Sequence, residues 1–376
     1  SGSLTVAEWM SNNEGAIVLE PNHDTCYLCV SFLDGTAKYH SKKGSIDALE
    51  VNANEAAWLF VLFLRQLALF VEERRNTSSK DIKFEVLLFL RAEMDHLSGL
   101  VSGASKCVSY EHPRVNCRRF FLSERSVNLV AREGHSIGTL ASQLLNEVSG
   151  KDRDTLVTLR RHRFGRKTTV CQLSQLRANP IMVNKSTNDA ALATYYSPTN
   201  AETESELPLI VVTGGMGALG SVLVDWLLDF HGVDPACVVI LTRRQQSTEH
   251  PRGVKVVSVD ISSSESLSNC AALQALAPRI SGVFHLAGAL RDGVLTKLEQ
   301  ESIAPVVSPK FGLFKLLKHV GRDGEELPWV VSFSSSTSLL GYPGQINYAA
   351  ANGMLDHAAQ FWRGYNGSMV TINWGP

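Results

Sequence analysis

Side chains that can hydrogen-bond a ligand follow one predicted strand and lie on the helix predicted after it. An apolar run at residues 329–333 has the length and bulk of a buried strand, and it ends in the hydroxyl residues 334–336, with Ser335 at the mouth of the strand. Farther on, apolar residues at helical spacing predict a helix that carries Tyr348 and Asn352 on one face. Because α/β proteins bind ligands at the carboxyl ends of their strands, we expect a hydroxyl, a phenol and an amide at one crevice.

A glycine-rich loop upstream is the second feature with a chemical role. Residues 209–212 predict a short strand, residues 213–220 read Thr-Gly-Gly-Met-Gly-Ala-Leu-Gly, and residues 221–230 predict an amphipathic helix. Glycines at GxGxxG spacing between a strand and a helix permit a tight turn and close approach of the backbone to a pyrophosphate. The loop therefore predicts a dinucleotide site formed by Thr213, Gly215, Gly217, Leu219 and Gly220.

The end of the next predicted strand, residues 237–241, indicates which dinucleotide is bound. A carboxylate there would hydrogen-bond a ribose 2′-hydroxyl, but the sequence has Arg243 and Arg244. Guanidinium groups bind phosphate through bidentate, charge-assisted hydrogen bonds. The sequence favours NADPH over NADH, and the alternative is that both arginines are simply exposed at a strand end.

Two further predicted strands, residues 255–259 and 281–286, end where the cofactor would lie. The first is followed by residues expected to flank an adenine, and the second by small residues that let the backbone approach the cofactor. These residues are Asp260, Ile261, Ala287 and Gly288.

Composition limits the classes of function. The chain has 376 residues, 44% of them hydrophobic, which is enough for two cores. A net charge of −1 favours neither nucleic acid nor an anionic membrane as a partner. Seven scattered cysteines show no disulfide framework, so we expect a reducing, cytoplasmic location. The apolar stretch at residues 56–71 is interrupted by Arg65 and Gln66, which favours a core helix over a membrane span.

The first half of the chain alternates strands and helices but lacks a phosphate-binding loop. It predicts strands at residues 26–33, 83–90 and 115–122, and helices at 55–75 and 137–148. We therefore predict an α/β protein with two Rossmann-like subdomains. Residues 1–190 form a structural subdomain without a cofactor site, 191–206 a polar linker, and 207–376 the catalytic subdomain.

Two patterns in this half have ordinary explanations. Cys26 and Cys29 have CxxC spacing, but no second pair follows at zinc-ribbon distance, so we expect a strand and no metal site. The basic run at residues 160–167 is interpreted as an exposed hairpin that turns at Phe164 and Gly165, in preference to a surface for an acidic partner.

Together the motifs of the chain resemble the ketoreductase domains of modular polyketide synthases, within the short-chain dehydrogenase/reductase superfamily, with fatty acid synthase ketoreductases as close kin. In the second half the resemblance rests on residues 213–220, His-Leu-Ala-Gly at 285–288, Pro-Lys at 309–310, Phe-Ser-Ser at 333–335, Asn-Tyr-Ala-Ala-Ala-Asn at 347–352 and Asn-Trp-Gly-Pro at 373–376. In the first half, Tyr-Glu-His-Pro at 110–113 and residues 159–173 are similar to the structural subdomain of that family.

The resemblance implies a catalytic tetrad of Lys310, Ser335, Tyr348 and Asn352. Ketone reduction needs a hydride from the nicotinamide and a proton for the oxygen, and Tyr348 is expected to supply the proton. The Lys310 ammonium favours the phenolate that remains. Ser335 donates a second hydrogen bond to the carbonyl oxygen, and Asn352 orients Lys310 or a water. Each residue taken singly also has a structural explanation, such as a loop hydroxyl or a polar helix surface.

The implied reaction is NADPH-dependent reduction of a β-ketoacyl thioester to the β-hydroxyacyl thioester. The implied partners are an acyl carrier protein, which tethers the substrate through phosphopantetheine, and neighbouring synthase domains. Alternatives are a non-catalytic structural domain, a fatty acid synthase ketoreductase, and a nucleotide-sugar epimerase or dehydratase, which should have lysine in place of Asn352. Family members continue beyond Pro376 into a lid helix and a last strand, which we expect this sequence to lack.

The resemblance also predicts the configuration of the product. One stereochemical class carries Leu-Asp-Asp after the fourth strand, and the other carries a tryptophan five residues after the catalytic serine. This chain has Leu-Arg-Asp ending at Asp292, and Leu340 stands at the tryptophan position. We expect the D-configured alcohol, and the alternative is that Asp292 only caps a backbone N–H.

Overall fold

The first half of the chain forms a six-stranded sheet. The computed structural model describes residues 16–22, 25–31, 46–77, 83–91, 96–122, 154–161, 169–175, 195–197, 207–244, 252–321, 327–361 and 368–375. The strands of this sheet, in spatial order, are β1 (Ala16–Asn22), β2 (Thr25–Ser31), β3 (Lys83–Arg91), β4 (Val115–Leu122), β5 (Asp154–Arg161) and β6 (Thr169–Gln175). Strands β2 to β5 run parallel, whereas β1 and β6 pair antiparallel with their neighbours.

Burial explains why β3 is a continuous apolar run. Residues 86–90 of this strand are fully buried, as expected for a parallel strand covered on both faces. Strand β4 has the predicted bounds, and β3 extends to Arg91. The helix predicted at 137–148 and the hairpin turn at Phe164 and Gly165 lie outside the described residues.

Three helices accompany this sheet: α1 (Ile46–Thr77), α2 (His96–Ser105) and α3 (Val108–Glu111). Helix α1 begins earlier than predicted, because no Pro or Gly interrupts the chain between residues 46 and 55. Within the described residues, Ala53–Glu73 is the one stretch long and apolar enough for a membrane span, and 44% of its most apolar part is buried in the protein. Val61, Leu64 and Leu67 are fully buried, which favours the interpretation of α1 as a core helix.

A second six-stranded sheet has the doubly wound order β12-β11-β10-β7-β8-β9, with all strands parallel. Its strands are β7 (Leu209–Thr213), β8 (Val238–Thr242), β9 (Lys255–Ser258), β10 (Ile280–His285), β11 (Trp329–Ser335) and β12 (Met369–Trp374). The strand order reverses between β7 and β10, and ligands bind at such a switch point.

The remaining helices follow the strands of the second sheet. They are α4 (Ala218–Asp225), which continues into a π-helical turn at Trp226–Phe230, then α5 (Ser264–Asn269), α6 (Ala271–Leu276), α7 (Ala304–Val320), α8 (Ser336–Leu340) and α9 (Ile346–Phe361). The predicted strands of this half are all present, with end points shifted by a residue or two.

Two compact units share these elements. The first unit contains Ser1–Asn179, Arg291–Ile303 and Ser336–Phe361, and the second contains Pro180–Leu290, Ala304–Ser335 and Trp362–Pro376. Residues of the predicted catalytic subdomain, helix α9 among them, therefore belong to the first unit. The predicted linker at 191–206 and the predicted domain limits stay predictions.

Tyr196, which falls in the predicted linker, packs into the core of the second unit. Its ring is 1% exposed, its hydroxyl lies 2.8 Å from Ser281 Oγ, and it accepts a hydrogen bond from Trp329 Nε1 at 3.2 Å. Burial raises the pKa of the Tyr196 hydroxyl, which therefore stays protonated. The Asp234 N–H donates to the Tyr196 carbonyl. Tyr196 thus anchors the chain just before β7.

Replacing Tyr196 with phenylalanine is expected to lower the free energy of unfolding by about 1–3 kcal/mol, because the partly buried Trp329 N–H loses its acceptor. Urea denaturation would measure the change. Tyr195→Phe is the matched control, since the side chain of Tyr195 is 56% exposed. Equal effects of the two substitutions would contradict an anchoring role for the Tyr196 hydroxyl.

Candidate active site

A cavity of about 270 Å³ in the second unit lies at the carboxyl ends of β7, β8 and β10. Its lining includes the predicted cofactor residues Thr213, Gly217, Arg243, Arg244, Ile261, Ala287 and Gly288. Sequence reasoning did not identify the other lining residues, which are Gly214, Met216, Leu241, Thr242, Val259, Ser262, Leu286 and Pro309. The predicted residues Gly215, Leu219, Gly220 and Asp260 are not in the lining. The cavity occupies the switch point that the strand order defines.

The glycine loop has the close packing that a phosphate-binding turn requires. Gly214 has a φ of +72°, and a Cβ there would lie 2.9 Å from Ala287 N. A Cβ on Gly220 would lie 2.4 Å from Gly214 O, so the start of α4 packs directly on the loop. These positions need glycine. The loop therefore has the tight turn and the close packing against the helix that a dinucleotide-binding loop needs.

Arg243 and Arg244 are exposed side chains at the rim of the cavity. The turn that carries them is held locally, because the Arg244 N–H donates to Thr242 Oγ1 at 3.3 Å and Ser258 Oγ donates to the Arg244 carbonyl at 3.4 Å. Two guanidinium groups are thus available to an anionic group in the cavity.

Ile261 and Ser262 form the cavity wall after β9. The Asp260 carboxylate accepts the Ser262 N–H at 2.9 Å, so it shapes this turn. A residue that the sequence reasoning missed also holds it: Lys315 of α7, only 4% exposed, donates from Nζ to the Ser262 carbonyl at 2.7 Å. One turn earlier on the same helix, a Cβ on Gly312 would lie 3.0 Å from Ile261 O. The sequence signal that could have identified Lys315 is its position among apolar residues of the helix.

Lys310 lies beside the cavity, as its proposed role requires. Its side chain is 3% exposed, and Nζ donates to the Phe333 carbonyl at 2.6 Å, two residues before Ser335. A Cβ on the cavity-lining Gly288 would lie 3.1 Å from Lys310 Cε and 3.4 Å from Nζ. The absence of a side chain at Gly288 therefore leaves room for the lysine, and β11 holds its ammonium group.

A buried histidine joins the ends of β7 and β10. His285 is fully buried, and its Nδ1 lies 2.8 Å from Thr213 Oγ1, which also accepts the Ala287 N–H at 3.3 Å. Burial, and secondarily the nearby Lys310 charge, hold the pKa of His285 well below its usual value. The ring is therefore neutral at physiological pH, and it orders the cavity wall without adding charge.

Ser335 is the last residue of β11, a strand that runs two residues beyond its predicted end. The residue is 9% exposed, and its carbonyl accepts a hydrogen bond from Asn373 Nδ2 at 3.3 Å. The same amide donates to Ser334 Oγ at 3.2 Å. Asn373 thus fixes the strand end that presents Ser335.

Tyr348 and Asn352 lie on α9, in the first unit. Asn352 is fully buried and donates from Nδ2 to the Tyr348 carbonyl at 2.9 Å. The Tyr348 N–H donates to Asn347 Oδ1 at 2.8 Å. The predicted i, i+4 relation on one helix is confirmed. The structure therefore groups Lys310 with Ser335 in the second unit and Tyr348 with Asn352 in the first, and their joint action stays a prediction.

Helix α9 packs against α2 at very short range. A Cβ on Gly103 would lie 2.0 Å from Ala349 O, and a Cβ on Gly353 would lie 2.6 Å from Gly99 O. Only glycine permits this approach. The residue that follows Tyr348 is therefore in direct contact with α2.

The two predicted stereocontrol residues are exposed residues of the first unit, Asp292 in a loop and Leu340 at the end of α8. Asp292 Oδ2 accepts a hydrogen bond from Gln345 Nε2 at 3.0 Å, three residues before Tyr348, and Leu340 is 67% exposed. Asp292 therefore bonds a side-chain amide, where the alternative interpretation expected a backbone N–H. Among the residues that the structure describes, no group of three or more His, Cys, Asp or Glu side chains could hold a metal ion.

Comparison with known families finds a match for the second half of the chain. Residues 209–376 match the family described as "KR domain". This part of the chain is therefore similar to KR domains. The match begins at β7 and includes the cavity.

Curated relatives of the chain are large polyketide synthase proteins. The chain is 28% identical over 291 residues to one component of the phenolphthiocerol/phthiocerol polyketide synthase of Mycobacterium tuberculosis, and the match covers 73% of the chain and 14% of that protein. It is 33% identical over 177 residues to polyketide synthase GfsA of Streptomyces halstedii, and this match covers 44% of the chain and 2% of the synthase. The chain thus spans a small part of the curated relatives it matches.

Solved structures share the fold of the chain. A ketoreductase domain from the bacillaene assembly line aligns with a TM-score of 0.57 at 16% identity, covering 96% of this chain and 84% of that one. The first ketoreductase of the tylosin polyketide synthase aligns with a TM-score of 0.53 at 21% identity, covering 88% and 64%. At these identities the likeness concerns the α/β fold alone.

Proposed function

We propose that residues 209–376 form a ketoreductase domain, which uses NADPH to reduce a carrier-tethered β-ketoacyl thioester to the β-hydroxyacyl thioester. The observation that carries the proposal is the position of Lys310, whose buried ammonium group lies against Gly288 in the wall of the cavity at the switch point. A buried cation beside the predicted dinucleotide site can stabilise negative charge on a reacting oxygen. The bound dinucleotide supplies the hydride.

The residues of the chain would then act on the oxygen of the ketone. Tyr348 donates the proton, Ser335 donates a second hydrogen bond, and Lys310 favours the phenolate form of Tyr348. Asn352 orients Lys310 or a proton-supplying water, and the bond from its Nδ2 to the Tyr348 carbonyl lies within the first turns of α9.

The proposed reaction is tested by NADPH oxidation with two ketones, the generic cyclic ketone decalone and a β-ketoacyl thioester. We expect turnover of both, with Tyr348→Phe protein as the inactive reference. NADPH binding without oxidation of either ketone would contradict the proposal and favour a non-catalytic domain.

Arg243→Ala should weaken NADPH binding by about 1.5–3 kcal/mol, roughly 10- to 100-fold, and leave NADH binding nearly unchanged, because only NADPH carries the 2′-phosphate. Fluorescence titration of both dinucleotides measures the difference. Arg252→Ala is the matched control, since Arg252 lies in the same unit but pairs with Asp225 and Asp229. Equal weakening of both dinucleotides by Arg243→Ala would show that Arg243 does not bind the phosphate.

The product is expected to be the D-configured alcohol. Asp292 is held toward the start of α9 by Gln345, and Leu340 stands where the other class has tryptophan. Chiral chromatography of the alcohol made from a diketide thioester checks the configuration. A predominantly L-configured product would overturn the assignment.

The proposal implies an acyl carrier protein with a phosphopantetheine-tethered substrate and neighbouring synthase domains as partners, and a cytoplasmic location. The size of the synthase relatives supports the neighbouring synthase domains. Under this proposal, residues 1–190 act as the structural subdomain without a cofactor site.

A further inference from the structure

Glu111, at the end of α3, bonds two separate loops of the first unit through its two carboxylate oxygens. Oε2 accepts the Leu295 N–H at 2.6 Å, and Oε1 accepts the Gly344 N–H at 2.7 Å. Leu295 belongs to the upstream loop (residues 291–295), and Gly344 to the downstream loop (residues 341–345), which leads into α9. A single side chain from the first half of the chain therefore connects both loops.

A direct hydrogen bond also joins the two loops to each other, and another joins the upstream loop to α9. The Gly293 N–H donates to the Gly344 carbonyl at 2.8 Å, and Asn347 Nδ2 of α9 donates to the Arg291 carbonyl at 2.8 Å. Gly344 has a φ of +76°, a backbone conformation that favours glycine. Its N–H and its carbonyl both make hydrogen bonds in this conformation. The two loops are thus bonded to each other and to Glu111. Gly344, where these bonds meet, lies four residues before Tyr348.

The segment that carries Glu111 contacts the downstream loop and α8 at further points. Lys106 Nζ donates to the Ser338 carbonyl at 2.8 Å, and the Tyr342 N–H donates to Cys107 Sγ at 3.5 Å. A Cβ on Gly341 would lie 2.2 Å from Lys106 O. The contact between residues 106–111 and residues 338–344 is therefore continuous, and Glu111 extends it to the upstream loop.

We propose that Glu111 is a positioning residue for the reaction, which sets the start of α9 and hence Tyr348 by holding the two loops together. The inference rests on the proposed function, in which Tyr348 is the acid. Only a carboxylate can accept both N–H groups, because a glutamine at this position would turn an NH₂ group toward one of them. The first half of the chain then contributes to catalysis without binding a cofactor.

Glu111→Gln tests this role in the full chain. We expect kcat to fall about 10- to 100-fold, as a small misplacement of a reacting group does, while the NADPH dissociation constant stays within two-fold. Hydrogen exchange at the Leu295 and Gly344 amides should become faster, with little change elsewhere. Glu85→Gln is the matched control, since Glu85 lies in the same unit and accepts Asn116 Nδ2 at 2.9 and 3.0 Å.

The results separate the possible roles. Localised faster exchange with a selective loss of kcat supports the proposal. Retention of more than half of the wild-type kcat would overturn it. Loss of NADPH binding, or exchange that rises throughout the chain, would assign Glu111 to general stability and also overturn it. If the wild-type chain reduces no ketone, the proposed function fails, whereas the exchange experiment still shows whether Glu111 holds the two loops.

Discussion

Tyr348→Phe should remove most of the turnover and leave NADPH affinity within a few-fold of that of the wild-type protein. Only the hydroxyl is lost, and a general acid contributes about 100- to 10,000-fold to a rate. The hydrogen bonds that hold this part of α9 use the Tyr348 backbone, through Asn347 Oδ1 and Asn352 Nδ2, so the helix should be unchanged. The residues that line the cavity belong to the other unit.

Steady-state oxidation of NADPH with a diketide thioester measures the rate, and a fluorescence titration measures the affinity. Tyr342→Phe is the control, because Tyr342 lies in the loop before the same helix and is 58% exposed. If the Tyr348→Phe protein keeps more than a tenth of the wild-type rate, Tyr348 is not the acid.

Gly103→Ala should destabilise the protein by about 2–3 kcal/mol, although alanine is the better helix former by about 1 kcal/mol. The added Cβ would lie 2.0 Å from Ala349 O, and a backbone atom cannot rotate away as a side chain does. Relief requires α2 and α9 to separate. Because Ala349 follows Tyr348, the rate of reduction should fall as well.

Urea denaturation gives the change in the free energy of unfolding, and its sign is decisive. A glycine in an open helical position gains stability on replacement by alanine, so a stabilised Gly103→Ala protein would contradict the close packing of α2 and α9. Gly375→Ala serves as the control, because a Cβ at Gly375 meets no atom within 4 Å.

Local patterns in the sequence were enough to predict the elements of the second sheet and about half of the residues that line the cavity. Hydrophobic runs define the ends of the strands, and the predicted cofactor residues come shortly after those ends. These residues are the glycine loop, Arg243, Arg244, Ile261, Ala287 and Gly288. The i, i+4 relation of Tyr348 and Asn352 depends on helical periodicity alone. The roles of the tetrad came from resemblance to a family, and they remain predictions.

Other features depended on contacts between residues far apart in the sequence. The burial of Tyr196, in the predicted polar linker, could not be predicted from the sequence around it. Its partners Ser281 and Trp329 are distant in the sequence. Lys315 and Glu111 look like ordinary charged residues until their backbone partners, Ser262, Leu295 and Gly344, are in place.

The sequence by itself thus determined the strands of the second sheet to within a residue or two, together with the glycine loop and the helix of Tyr348, since short-range periodicity and backbone preference decide them. The tertiary structure alone decided which backbone groups the buried charges of Lys310 and Lys315 would bond, and which helices Gly99 and Gly103 would bring together. Such contacts are decided by the packing of distant segments, where a buried polar group must find a partner and a missing Cβ leaves room for a neighbouring backbone.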